Sequence, residues 1–185
     1  MQILTRLAMI TGVCAFACLP AIVASADDQA TIDNAMSAAP KAVAANATVV
    51  TFDDKMEMKV LKKGSNNFTC MPDDPSTPTN DPMCADENGM AWVHAWITRT
   101  EPPTGKIGFG YMLQGETAAS NTDPYAAPPA DGKWSEAGPH IMILNSKSAM
   151  AGYPRPGNAP DVTQPFVMWQ DTPYEHLMIP VPGEN

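Results

Sequence analysis

Two tripeptides in the C-terminal third of the chain hold side chains able to do chemistry: His140-Ile141-Met142 within GPHIMIL and His176-Leu177-Met178 within PYEHLMIPV. On a strand, residues i and i+2 share a face about 7 Å apart, so each tripeptide would present an imidazole and a thioether together. Both groups are copper ligands, with the thioether favouring Cu(I). Two such strands side by side would offer His140, Met142, His176 and Met178 as an N₂S₂ set, with His94, the one remaining histidine, as a further contact. The same residues have a plainer reading as core. Methionine fills irregular interiors, and this chain also uses it at Met56, Met58, Met71, Met83, Met90, Met112, Met150 and Met168. A histidine on an apolar strand is then held by one backbone hydrogen bond.

The His-x-Met tripeptide resembles the end of the metal motif of the periplasmic copper chaperones. The resemblance covers these tripeptides alone, because the upstream His-Met pair of that motif is absent here. What it implies is copper as a cofactor at the four residues named.

A second soft-ligand set lies at Cys70-Met71 and Met83-Cys84, which bracket a segment with four prolines. Reduced, these residues make an S₄ set; oxidised, Cys70 and Cys84 are a disulfide, the expected state in an oxidising compartment. Asp73, Asp74, Asp81, Asp86, Glu87 and Asn88 add oxygen ligands nearby, but their spacing does not match a calcium-binding EF-hand loop. An enzyme reading rests on His176 as general base, with Asp171 or a more distant carboxylate to orient it, as in a small exported hydrolase. Glu175 is adjacent to His176 and would point to the other face of a strand. No G-x-S-x-G, H-E-x-x-H or glycine-rich phosphate loop occurs. Four tryptophans and four tyrosines are enough to line an apolar cleft, or to fill a core.

The elements that must position these residues are short. Thr31 to Ala45 is alanine-rich and broken by Pro40, which predicts two short helices or one that restarts near Ser37. TVVTF at 48–52 and MEMKVLKK at 56–63 read as strands around an Asp53-Asp54 turn, and FTCM opens a third. The proline-rich stretch from Met71 to Asp86 reads as a surface loop stapled across 70–84. MAWVHAWIT at 90–98 has its apolar residues at helical spacing and is expected to cover the sheet. IGFGYML, HIMIL, FVMW and EHLMIPV read as strands buried on both faces, joined by long Pro/Gly-rich loops such as SNTDPYAAPPADGKW and GYPRPGNAPDVTQP. The expected fold is α+β: a mainly antiparallel sheet, a short Ala-rich N-terminal helical segment and one covering helix.

The N-terminus supplies the compartment. Arg6, an apolar run from Leu7 to Val23 and then Ala24-Ser25-Ala26 make a secretory signal peptide over residues 1–26, with no cationic stop-transfer cluster behind it. The expected product is a single exported domain, 27–185, periplasmic or extracellular, with no stable membrane span. All 20 acidic residues and all but one of the 11 basic ones follow Ala26, and the chain carries a formal charge of −9. That balance disfavours nucleic acid, which needs basic patches. It leaves a small ligand, a metal ion or another protein as partner, and a non-enzymatic binding or envelope-associated protein as the leading function.

Overall fold

The computed structural model describes residues 25–53 and 55–182. Most of the expected signal segment therefore lies outside the described residues. The chain forms a mixed α/β fold on one large, mostly antiparallel sheet with few helices.

Helix α1 (Ala26–Met36) is capped by the Ser25 hydroxyl, which accepts from Asp28 N–H at 3.1 Å, and buries Ile32 and Ala35. Pro40 has no N–H to continue the helical ladder, so the chain breaks at Ser37 and resumes as the short α2 (Lys41–Ala44). Strands β1 (Thr48–Phe52) and β2 (Met58–Lys62) form a hairpin, its turn held by Asp53 Oδ1, which accepts from Lys55 N–H and Glu57 N–H at 2.9 Å each. The chain then crosses back over the start of β1 to reach β3 (Phe68–Met71), which runs parallel to β1. Gly64 makes that crossing possible, because a Cβ there would collide with the backbone of Ala47 and Thr48.

β4 (Met83–Asp86) corrects the reading of residues 71 to 86 as unbroken loop: the loop ends at Pro82, and β4 pairs antiparallel with β3 so that Cys70 registers opposite Cys84. Those cysteines are joined in a buried disulfide. Among the four prolines none lies beyond Pro82, so nothing after it blocks the ladder. Helix α3 (Glu87–Ile97) follows without a gap. It begins ahead of Met90, where the apolar helical spacing starts, because Asp86 is its N-cap. The Asp86 carboxylate accepts from Gly89 N–H at 2.7 Å and from Phe109 N–H at 3.1 Å, tying the helix start to the next strand.

The remaining strands are β5 (Gly108–Met112), β6 (Glu116–Ala118), β7 (Ser135–Ala137), β8 (His140–Leu144), β9 (Phe166–Met168) and β10 (His176–Pro180). The large sheet has the order β2-β1-β3-β4-β5-β8-β10-β9, while β6 and β7 pair as a separate ribbon. Both faces of the large sheet carry core. α3 sets Trp92 and Val93 against Met112, Met142, Leu144, Phe166 and Met178 on one face. On the other, α1 and α2 cover Val49 and the disulfide, and a 3-10 turn at Lys147–Met150 places Met150 on Val167 and Leu177. Among the described residues, no helix is long and apolar enough to cross a membrane.

Candidate functional site

The α3 face of the sheet does not close completely. A cavity of about 560 Å³ opens between the sheet, α3, the β3–β4 loop and the β6–β7 ribbon with its loop. Its apolar lining includes Trp92, Trp96, Trp169, Met71, Met112 and Met142. Trp92 and Trp169 stack at 6.0 Å with an interplanar angle of 9°, and Trp96 leans on Trp169 at 5.0 Å.

The two His-x-Met tripeptides lie on the adjacent antiparallel strands β8 and β10. Met142 registers directly opposite Met178, and His140 lies opposite Pro180. The histidines thus flank the methionine pair from opposite ends. Each ring turns back along its own strand: His140 Nδ1 meets Gly138 O at 2.8 Å, and His176 Nδ1 meets Tyr174 O at 3.0 Å. His176 and Met142 line the cavity, while Met178 is fully buried within the core. His94 is on the exposed side of α3. Among the described residues, no three His, Cys, Asp or Glu side chains gather at metal-binding separation.

Between the two histidines stands a carboxylate that sequence reasoning missed. Glu116, on β6, lines the cavity and puts Oε2 3.6 Å from His140 Nε2, an electrostatic contact longer than a hydrogen bond. Its side chain is only 14% exposed, and that of His140 2%. Burial pushes the Glu116 carboxyl up, but His140 beside it and His176 further off outweigh burial and hold it below its ordinary value. His176 moves the other way from the usual paired histidine. Burial pushes it below its ordinary value and overrides Tyr174 O and Glu116, which favour the charged ring. A neutral His176 whose Nδ1–H donates to Tyr174 O keeps its Nε2 lone pair free, with no partner recorded among the described residues. The ring stands edge-on to Trp92 at 5.2 Å and Trp169 at 5.0 Å. The one sequence signal for Glu116 is its isolation: it is the sole charged residue between Lys106 and Asp123.

The proline-rich loops build the walls. In the β3–β4 loop, Asp81 is the hub: its carboxylate accepts from Asp74 N–H at 3.2 Å and from Thr77 Oγ1–H at 2.6 Å. Burial is the main reason its pKa is pushed up to about 6. The loop after β6 is braced by Asn158, whose Oδ1 accepts from Ser120 Oγ–H at 2.9 Å and from Asn121 N–H at 2.8 Å.

The carboxylates near His176 in sequence face elsewhere. Glu175 pairs with Arg155 at 3.0 Å, and Asp171, 87% exposed, contacts the same guanidinium at 3.4 Å. The carboxylate that His176 senses is Glu116. Among the described residues, no Ser, Thr or Cys side chain is hydrogen-bonded to either histidine ring. Comparison with known protein families, with curated proteins and with solved structures gives no match.

Proposed function

We propose that this protein is an exported binding protein for a small organic ligand, seated in the cavity between the sheet and the two proline-rich loops. Residues 1–26 support export by their basic start, apolar run and Ala24-Ser25-Ala26, and the Cys70–Cys84 disulfide fits an oxidising compartment. The observation that carries the ligand reading is the cavity itself: about 560 Å³ of space, walled by tryptophan and methionine, with Glu116 and His176 set into an apolar lining. Small-molecule sites are typically about 300–1,000 Å³ with a few polar groups that fix orientation.

The neutral dye N-phenyl-1-naphthylamine, which brightens in apolar surroundings, is expected to bind saturably with one-to-one stoichiometry. Ala118→Phe, which fills the cavity from β6, is expected to weaken the dye about tenfold or more, or roughly 1.4 kcal/mol, while the far-UV spectrum stays unchanged. Absence of saturable dye binding by the wild type would sink the reading.

Copper is the second reading, favoured by the direct register of Met142 with Met178 and by the thioethers of Met71, Met83, Met112 and Met142 around the cavity that His176 lines. On that reading Cu(I) binds the wild type and not the His176→Ala, Met178→Leu double variant. Equal affinity in the two proteins removes it.

A further inference from the structure

The charged groups that the cavity offers a ligand are carboxylates. Among the described residues, every charged side chain lining it is an acid: Asp53, Asp73, Asp74, Asp81, Glu116 and Asp123. The rim aspartates are partly occupied in holding turns, as Asp53 and Asp81 are, so their contribution is a negative field focused by apolar walls. Glu116 is the deep carboxylate. Beside it, His176 is 2% exposed, lines the cavity and, among the described residues, has no hydrogen-bond partner at Nε2. Trp92, Trp96 and Trp169 line the same cavity, and tryptophan is the side chain that attracts cations most strongly.

Resting on the reading of this cavity as a ligand site, we propose that its ligand is an organic cation, an amine or quaternary ammonium carried on an apolar body. An anion would enter against six carboxylates. A neutral apolar molecule can enter, but it returns no charge or hydrogen bond to Glu116 and so binds more weakly than a cation of the same shape. A hard divalent metal ion needs several oxygen ligands in convergence, and the described residues contain no such cluster. An ammonium group between Glu116 and the tryptophans satisfies both kinds of wall at once.

The test is a pair of isosteres displacing the neutral dye N-phenyl-1-naphthylamine from the wild-type protein: benzyltrimethylammonium, and neopentylbenzene, which has the same shape without the charge. The cation is expected to bind about tenfold or more tightly than its isostere. Glu116→Gln is expected to lose that preference while keeping its affinity for the dye, which also reports that the variant is folded. Equal or tighter binding of neopentylbenzene overturns the cation proposal and leaves the ligand site standing, and so does a dye-binding Glu116→Gln that keeps the full preference. If the dye itself fails to bind saturably, the site reading falls and the cation proposal falls with it. The isostere comparison needs no variant, so a Glu116→Gln that does not fold leaves it decisive.

Discussion

Glu116 and its two histidines show how one buried charge organises a site. A carboxylate with so little water needs a polar neighbour, and the His140 ring faces it from β8 at 3.6 Å. Glu116 sits below its ordinary value of 4.5 in the fold, so its contribution to stability is present above about pH 4.5 and is lost as pH falls through the lowered value. His140→Phe leaves the carboxylate buried and alone. Urea unfolding at pH 7 is expected to show a loss of about 3–5 kcal/mol, with part of it recovered at pH 4 as Glu116 takes up a proton. An equal loss at both pH values would mean that His140 acts by packing alone. At this scale the sequence was partly legible. The two histidines and Met142 could be singled out by type and spacing, since a strand keeps i and i+2 on one face. Glu116 could not, because its approach to His140 across the fold is a long-range contact that no local spacing records.

The disulfide, the Asp86 cap and the Asp81 hub each fix one element that walls the cavity. Strands with β-branched or apolar runs, such as TVVTF and HIMIL, declare themselves because the local pattern and the final burial agree. Met83–Asp86 and the β6–β7 ribbon do not, since each is short and sits beside Pro, Gly or small residues, and pairing partners rather than propensity make them strands. Asp86 hid the start of α3 in the same way: its capping role depends on Gly89 N–H and Phe109 N–H both facing it. Asp81 gives this scale its prediction. Its carboxyl is raised from 3.8 to about 6 in the folded protein, so the stability it contributes is complete below pH 3.8 and is lost as pH rises through about 6. Asp81→Asn is expected to remove this component, raising the melting temperature at pH 7 relative to that at pH 4 when each is compared with wild type. A constant offset between the two proteins at both pH values would show that Asp81 does not titrate with the fold.

Across the whole molecule, the two faces of the sheet carry cores of different make-up. Beneath α1 and α2, small alanines close down on Val49 and the disulfide. Under α3, large indoles and flexible thioethers meet rigid proline-rich loops, and the mismatch leaves the cavity. A mostly antiparallel sheet with few helices was legible in apolar runs bounded by Gly and Pro, and so was the two-sided burial of β9; β5 corrects that reading, since Phe109 on its second face is 49% exposed, and the cavity depends on how two loops distant in sequence lean over one face. The methionines turn this asymmetry into a direct measurement. In protein labelled with ¹³C at the methionine methyls, saturation with benzyltrimethylammonium is expected to shift the resonances of Met71, Met83, Met112 and Met142, which line the cavity. Met36 and Met150, which pack on the other face, are expected to stay in place. Unmoved cavity methyls, or shifts confined to Met36 and Met150, would contradict the account.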